Sequence, residues 1–420
     1  MNVLQQLFPI TSSSREAYTE TNTLVSGSEA AGAAAIFHTL VAETIDEGRM
    51  LIIIDGKQTI EEQSAIIDYL RRRMTGGRCA YLFNNLEDTD SIDVLSVLNS
   101  SEEIAQYLAF IMLLSGVKPE EKDNLVFYYN LILSVFKAEC VPYKVRDILS
   151  QDPDTVARRL DRISDMSAED KENARIFLEG MRSLYVRSMI AAARTYKDGV
   201  MGKALNGTSK YSRIIRNGNV FLISIPALGH STPYTKEENM NRYKIMYTLG
   251  GLIPYMIQRT ITVPVRIVIR HSDFFPEEVM KDILSLSADY DVNVVWFPED
   301  IADYVEKNGI EIFKSIPHRA VFREEDQKSA DFWEKQSGHD EKTDISTSFT
   351  PKRTVFGFGS YMNTGGFMPN PFRRGTVTYG MSKRDKPNCP AERFKRLRRG
   401  EVLCYSAENG RIIKRRIILE

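Results

Sequence analysis

The chain has no hydrophobic run long enough to cross a lipid bilayer. Its longest apolar stretch covers residues 107–114, whereas a membrane-spanning helix needs about 20 residues. The first residues also lack the pattern of a signal peptide. We therefore expect a protein that does not insert directly into a membrane, although protein partners could recruit it to the inner membrane face.

Cysteine and histidine are scarce, and their spacing points to no metal site or disulfide framework. The four cysteines form no CxxC pair, and the chain has only five histidines. Neither zinc nor another metal is therefore expected, and a reducing cytoplasm is the expected location. A G-x-S-x-G nucleophile elbow is also missing, which argues against serine-based hydrolysis.

Neither sign of charge is in excess. The formal net charge is −1 over 420 residues, which argues against a protein that coats nucleic acid along its whole surface. Hydrophobic residues make up 43% of the chain, enough for a sizeable core in one large domain or two ordinary ones.

A glycine pair near the N-terminus has the spacing of a phosphate-binding loop without the residues that bind phosphate. Gly27 and Gly32 fit the pattern G-x-x-x-x-G-K-[ST], but Ala33 replaces the lysine and Ala34 replaces the Mg²⁺-binding hydroxyl. Glu29 adds a carboxylate that would face the phosphates and repel them. Either this is a nucleotide-motor fold that no longer hydrolyses nucleotide, or the spacing is accidental.

The residues around this loop favour the first alternative. A short apolar segment at 23–26 precedes it, and residues 30–45 have the periodicity of a helix. Residues 50–57 then form an apolar run that ends in Asp-Gly-Lys, as expected for a buried parallel strand. Strand, glycine loop, helix and strand form the βαβ unit in which a phosphate loop lies.

The rest of the chain predicts a parallel α/β sheet that is interrupted once. Residues 101–205 have helical patterns throughout, whereas strands return between residues 220 and 323 with helices between them. We predict a first α/β part at 1–100, an inserted all-helical domain at 101–205 and a second α/β part at 206–420. A hairpin with Asn-Gly at its turn is expected within 400–418.

Two polar segments predict irregular structure. Residues 340–351 are rich in Ser, Thr, Asp and Lys, which indicates an exposed loop or a disordered stretch. Residues 357–366 are rich in glycine and are followed by two prolines, which indicates a second irregular segment.

The C-terminal part is basic and is the candidate region for contact with DNA. Phe372, Tyr379 and Phe394 lie among its basic residues and could stack on bases, or they could belong to the core. The alternative is a solvated basic face that contacts no polyanion. The candidate DNA contacts are Arg373, Arg374, Arg393, Lys395, Arg396, Arg398 and Arg399.

The order of these segments resembles the motor domain of type IV secretion coupling proteins, the TraG/TraD family of the HerA/FtsK superfamily. The resemblance runs from residue 24 to about 418 and implies a RecA-like P-loop-type sheet with an inserted helical domain. Its segments are 27–34, 52–57 with Asp55, 83–91, 218–226, 318–323 and 399–405.

The second acidic motif of that family is missing. Family members end an apolar strand in Asp-Glu, which would hold the Mg²⁺ shell and polarise the attacking water, but this strand ends in Arg270 and His271. Asp273 comes two residues too late, and Pro298 stands where the resemblance implies a glutamine. His271 could instead act as a base beside Asp273 or as a metal ligand, but no second ligand has suitable spacing.

These substitutions lead to three expectations about function. The first is a catalytically inactive motor-like subunit of a conjugative DNA-transfer or type IV secretion apparatus, without catalytic residues or a cofactor. It would dock protein partners, among them an active paralogous ATPase. The second is a non-specific DNA-binding module, and the third is an ATPase with a remodelled nucleotide site.

Overall fold

The computed structural model describes residues 3–8, 22–58, 60–74, 76–84, 86, 88–226, 244–259, 263–271, 277–351, 375–406 and 411–417. They divide into two compact units. The larger contains Met1–Glu325 and Leu397–Glu420, and the smaller is Asp326–Arg396.

A nine-stranded sheet organises the larger unit. Its strands follow the order β11-β10-β7-β1-β6-β5-β2-β4-β3. The seven strands from β7 to β3 run parallel, and β10 pairs antiparallel with both β7 and β11. The strands are β1 (Thr23–Ser26), β2 (Met50–Gln58), β3 (Ala80–Phe83), β4 (Val220–Pro226), β5 (Val265–Arg270), β6 (Val292–Phe297), β7 (His318–Val321), β10 (Glu401–Ser406) and β11 (Arg411–Arg416).

The central strands are buried on both faces because they are apolar at successive positions. Every residue of β6 is buried, and so are all residues of β1. Continuous burial of this kind is typical of a parallel sheet that is covered by helices. The predicted α/β class is therefore confirmed, and the carboxyl ends of β1, β5 and β2 lie at one edge of the sheet.

Helices connect these strands. The segment from 244 to 250 is helical and is called α12. The others in the larger unit are α1 (Val3–Leu7), α2 (Ala33–Asp46), α3 (Ile60–Arg73), α4 (Ser101–Leu114), α5 (Lys122–Glu139), α6 (Val145–Ile148), α7 (Pro153–Arg159), α8 (Ala168–Leu184), α9 (Ile190–Lys197), α10 (Gly199–Leu205), α11 (Tyr211–Ile214), α13 (Ile253–Gln258), α14 (Glu277–Asp289) and α15 (Ile301–Asn308).

The helical segment predicted at 101–205 is present as α4 to α10, inside the larger unit. Its first helix is tied to later parts of the chain: the Tyr107 hydroxyl donates to the Thr248 carbonyl at 2.9 Å, and Arg259 pairs with Glu103 at 2.6 Å. The division at residues 101 and 205 into separately folding domains stays a prediction.

The smaller unit corrects one expectation from the sequence. Residues 340–351 were expected to be a loop, but they belong to β8 (His339–Pro351), which pairs antiparallel with β9 (Gly375–Pro387). Alternating Ile345, Thr347 and Phe349 favour an extended strand, and this signal is easily missed among polar neighbours. The unit also contains α16 (Gln327–Gln336) and α17 (Ala391–Lys395).

Two further expectations concern the C-terminal part. The predicted hairpin is confirmed as β10 and β11, with Cys404 opposite Ile413, although its Asn-Gly turn lies outside the described residues. The irregular segment predicted at 357–366 also lies outside them. Among the residues that the structure describes, every helix is too short or too polar to cross a lipid bilayer.

Candidate nucleotide site

The glycine loop follows β1 directly and adopts a backbone that its two glycines permit. Gly27 has φ = 110° and Gly32 has φ = 143°, conformations that side-chain-bearing residues rarely adopt. Between them, Glu29–Ala31 forms a short 3₁₀ turn before α2 begins at Ala33. The spacing noted in the sequence thus forms a real loop between β1 and α2.

Several backbone amides of this loop already have acceptors within the protein. The Ser28 amide donates to the Arg323 carbonyl at 2.9 Å. The Ala31 and Gly32 amides donate to the carbonyls of Ser28 and Glu29, at 3.0 and 3.1 Å. A phosphate-binding loop turns such donors towards its anion. These three amides are therefore committed to internal hydrogen bonds.

Phe322 packs directly against the loop. A Cβ atom placed on Gly32 would lie 2.6 Å from the Phe322 ring, and one on Gly27 would lie 2.9 Å from the Phe322 backbone. The Phe322 side chain is fully buried. Both glycines are therefore required for close packing as well as for their backbone conformation.

Four charged side chains meet beside the loop and form the central ion-pair network. The Arg270 guanidinium contacts Glu29 Oε1 through Nη2 at 2.6 Å and Asp55 Oδ2 through Nη1 at 3.3 Å. His271 Nδ1 lies 2.9 Å from Asp55 Oδ1, and its Nε2 lies 3.4 Å from Glu29 Oε1. Both basic residues therefore bridge the same two carboxylates.

The network is set in a largely buried position. Asp55 is inaccessible to solvent, and the Arg270 side chain is 12% exposed. The guanidinium also stacks over the Phe37 ring, 4.3 Å from its centre. His271 follows β5 with φ = 47°, and this left-handed conformation turns its ring towards Asp55. A buried carboxylate is tolerated here because two bases share it.

The pKa values of the network match its ion pairs. The hydrogen bond from His271, opposed by burial and assisted by the charge of Arg270, lowers the pKa of Glu29 to about 2. Burial works against protonated His271, but hydrogen bonds to Asp55 and Glu29 outweigh it and raise the pKa of His271 to about 9. At neutral pH Glu29 is therefore ionised and His271 is protonated.

This pKa of His271 predicts how stability depends on pH. A raised folded-state pKa contributes stability that is complete below the ordinary value of 6.5 and is lost as pH rises through about 9. Glu29 behaves oppositely: its contribution is present above 4.5 and is lost as pH falls through about 2. We expect the difference in melting temperature between the wild type and His271→Asn to shrink between about pH 6 and about pH 10.

A second histidine, His38, provides the control for this pH dependence of the melting temperature. Burial lowers the pKa of His38 below 6.5, so His38→Asn should give a difference that is constant over the same alkaline range. Asparagine suits position 271 because it tolerates the left-handed backbone found there, and the same replacement at His38 keeps the two variants matched. A His271→Asn difference that stays constant up to about pH 10 would contradict the assigned protonation.

The structure brings together most of the residues that the sequence singled out. Glu29, Arg270 and His271 are in direct contact, whereas Asp273 lies outside the described residues. Ala33 is buried as the first residue of α2, and Ala34 follows it. The candidate site is therefore assembled from the loop after β1 and the end of β5.

The structure shows the surroundings of two of these residues. Glu29, which was expected to face phosphates and repel them, contacts Arg270 and His271 through its carboxylate. Arg270, which stands where the resemblance implies a metal-binding carboxylate, contacts Glu29 and Asp55, and the loss of Mg²⁺ binding stays a prediction. The sequence did not identify Asp55 as their partner, although an acid at the end of an apolar strand was a usable signal.

The candidate DNA contacts are only partly described. Arg373, Arg374 and Phe372 lie outside the described residues. Phe394 is buried, at 2% exposure, so it belongs to the core and cannot stack on a base. The exposed members of the set are Arg393, Lys395, Arg396, Arg398 and Arg399.

The sheet order and the loop after β1 define a RecA-like P-loop-type fold. Solved structures of bacterial conjugative coupling proteins have a similar fold. No family profile matches the sequence, and no curated protein matches it.

Three solved structures illustrate the similarity. The unbound conjugative coupling protein TrwBdeltaN70 has a TM-score of 0.59 and 11% identity, over 97% of this chain and 86% of that one. TrwB in complex with ADP and Mg²⁺ has a TM-score of 0.58 and 10% identity, over 97% and 87%. VirB4 of Thermoanaerobacter pseudethanolicus has a TM-score of 0.51 and 11% identity, over 95% and 89%. At such identities the comparisons establish the fold.

Proposed function

We propose that this chain is a catalytically inactive motor-like subunit of a conjugative DNA-transfer or type IV secretion apparatus. It would retain the motor fold as a scaffold that docks protein partners, among them an active paralogous ATPase. One observation carries this proposal: the network of Glu29, Asp55, Arg270 and His271 lies where the fold would handle a nucleotide and its metal.

The chemistry of phosphoryl transfer supports the proposal. A triphosphate needs a lysine, a metal ion and free loop amides to neutralise its charge. Here Ala33 supplies no charge, and three loop amides donate within the protein. Mg²⁺ needs carboxylate oxygens, but Asp55 is already shared by Arg270 and His271. Internal hydrogen bonds and ion pairs thus occupy the groups that would otherwise bind the triphosphate and Mg²⁺.

Titration with Mg-ATP tests the proposal directly. We expect no stoichiometric heat in the micromolar range and no release of phosphate above a protein-free blank, because the triphosphate would remain largely unneutralised. Calorimetry and a phosphate-release assay measure the two quantities. An active motor of the same fold, measured in parallel, shows that the assays detect binding and turnover.

The same titration also tests the alternative that the chain is an ATPase with a remodelled nucleotide site. Stoichiometric micromolar binding would contradict the inactive scaffold, and turnover that is lost in Arg270→Met would favour the remodelled enzyme. If Arg270→Met still hydrolyses ATP, the residues that catalyse hydrolysis lie outside the ion-pair network.

The second candidate function is non-specific DNA binding, supported by the exposed basic residues of the C-terminal part. Arg396 is 80% exposed, and Arg398 and Arg399 are also exposed. Such groups could neutralise phosphates without reading bases. The burial of Phe394 weakens the stacking part of this alternative.

A mobility-shift assay at several salt concentrations tests DNA binding. We expect weak binding without sequence preference that falls steeply towards physiological salt, as counterions are released. Reversing charge at Arg396, Arg398 and Arg399 to glutamate should weaken binding for all sequences alike and flatten the salt slope.

A triple variant on α3 provides a control with the same change in net charge. Arg71, Arg72 and Arg73 end that helix, and their replacement by glutamate should weaken binding less than the C-terminal triple does. Equal losses of DNA affinity in the two triple variants would show that binding depends only on the net charge of the protein. If the folded protein causes no mobility shift of DNA even at low salt, the proposal of non-specific DNA binding is wrong.

We further propose that the helical segment from 101 to 205 is the surface that recognises partners. An insertion that interrupts the alternating strands projects from the rim of the sheet and can vary without disturbing its core. The proposed location is the cytoplasm, with recruitment to the inner membrane face by partners.

A further inference from the structure

The strand β11 forms one end of the nine-stranded sheet and is paired on one side. Its single neighbour among the strands that the structure describes is β10. The strand β3, at the other end, is covered by the chain that follows it. There the Leu82 amide donates to Asp90 Oδ2 at 2.6 Å, and the Asp90 amide donates to the Leu82 carbonyl at 2.7 Å. Of the two edge strands, β11 is therefore the one with a free outer side within the described residues.

The pairing of β11 shows which backbone groups lie on that outer side. The Ile417 amide donates to the Gly400 carbonyl at 2.8 Å. Hydrogen-bonded and non-hydrogen-bonded pairs alternate along an antiparallel ladder, so the amides and carbonyls of Ile412, Lys414 and Arg416 point away from β10. Amides and carbonyls at this spacing are a template for a further strand.

The side chains of this edge are predominantly basic. Residues 411–416 contain four basic residues and no acidic one. Lys414 pairs with Glu401 of β10 at 2.9 Å, whereas Arg415 and Arg416 contact no carboxylate in the part of the chain that the structure describes. Pairing with β11 of a second copy would place basic residues opposite each other, which is unfavourable. A strand with acidic side chains is attracted instead.

Two isoleucines add an apolar contact on each face of β11. Ile413 is 42% exposed, and Ile412 is half-buried. Successive side chains of a strand point to opposite faces of the sheet, so an added strand would meet one isoleucine on each face. A segment that combines acidic with β-branched apolar residues therefore matches both the charge and the apolar surface of this edge.

We propose that the free edge of β11 binds an extended acidic segment of a protein partner as an additional strand. The partner's backbone would pair with Ile412, Lys414 and Arg416, and its carboxylates would lie near the arginines. The alternation of donors and acceptors favours a peptide over DNA, whose phosphates and sugars mainly offer acceptors. This surface is separate from the helical segment at 101–205. The proposal rests on the scaffold function only in naming the kind of partner that is docked.

Three labelled peptides of the length of β11 test the proposal by fluorescence anisotropy. The first alternates glutamate and valine, the second alternates lysine and valine, and the third is the glutamate–valine peptide with every amide N-methylated. We expect the first to bind at least about tenfold more tightly than either of the others, because the second has the wrong charge and the third cannot donate from its backbone. Equal affinity of the N-methylated peptide, or no binding of the first peptide at millimolar concentration, would overturn the proposal.

Two substitutions at Lys414 locate the binding. Lys414→Pro removes the charge and the outward amide, whereas Lys414→Gln removes the charge alone. Proline is tolerated where the amide of an edge strand faces away from the sheet, and circular dichroism with thermal unfolding checks that both variants fold. We expect the glutamate–valine peptide to bind Lys414→Pro about tenfold more weakly than Lys414→Gln. Equal affinities in the two folded variants would show that the peptide does not pair with this edge.

A third substitution tests the charge of the edge. Arg416→Gln should weaken binding of the glutamate–valine peptide by at least about threefold. Arg71→Gln makes the same change of net charge at a 74% exposed arginine of α3 and should leave the affinity unchanged. Equal losses in these two variants would contradict a site at β11.

A short DNA duplex is the competing ligand. If the duplex binds the wild type and the glutamate–valine peptide does not, the basic edge is a DNA surface and the proposal is wrong. None of these measurements involves nucleotide, so their failure would leave the outcome of the Mg-ATP titration unaffected.

Discussion

Replacement of Arg270 by methionine is expected to lower the free energy of unfolding by about 3–5 kcal/mol. The reason is the burial of Asp55, which is inaccessible to solvent and would lose one of its two basic partners. His271 remains beside Asp55, but a buried carboxylate that loses one of its partners keeps its desolvation cost with less attraction to offset it. Methionine keeps an apolar side chain but also removes the guanidinium that stacks over Phe37, so the loss includes that cation–π contact. Urea unfolding followed by circular dichroism measures the difference.

Two controls separate this effect from a general loss of arginine. Arg71→Met removes a 74% exposed guanidinium with a 4.0 Å contact to Asp68, and should change stability by less than about 1 kcal/mol. Adding Asp55→Asn to Arg270→Met removes the carboxylate charge that lost its arginine partner and should recover part of the loss. If Arg270→Met is as mild as Arg71→Met, the network does not stabilise the fold.

Gly27→Ala is the second substitution with a large expected effect, a loss of about 2–6 kcal/mol. A non-glycine residue at φ = 110° is strained, which costs about 1–3 kcal/mol. The new Cβ would also lie 2.9 Å from the Phe322 backbone, and displacing a packed neighbour costs a further ~1–3 kcal/mol. Thermal and urea unfolding measure the loss.

Gly76→Ala separates the two causes. Gly76 has φ = 72°, but a Cβ placed there would have no neighbour within 4 Å, so only the backbone cost of about 1–2 kcal/mol remains. The excess in Gly27→Ala then reports the contact with Phe322 together with any additional backbone strain at φ = 110°. Equal losses at the two glycines would show that the loop does not pack tightly on Phe322.

Much of the fold could be predicted from the local pattern of the chain. Apolar runs at β2, β5 and β6 and helical periodicity in α2 and α3 are strong signals, because a strand buried on both faces must be apolar throughout. The hairpin of β10 and β11 was predicted from its Asn-Gly turn. Each of these signals lies within a few residues of the element that it predicts.

The strand β8 shows where such local signals fail. Its polar composition is typical of a loop, and the alternation of Ile345, Thr347 and Phe349 is a weak signal beside its pairing with β9 over an intervening segment. Strand propensity depends on the partner strand more than on the residues themselves. Long-range pairing of this kind cannot be inferred from a short window of sequence.

The sequence by itself determined which residues follow the two glycines: Ala33 and Ala34 stand where the phosphate-loop pattern has a lysine and a hydroxyl. Only the tertiary structure decided what occupies that place. Glu29 and Arg270 are 241 residues apart, and Asp55 and His271 are 216 apart. These residues meet because β5 pairs with β2, and only β6 separates β5 from β1 in the sheet. That adjacency depends on crossover connections and on packing across the whole sheet, which local residue patterns do not encode.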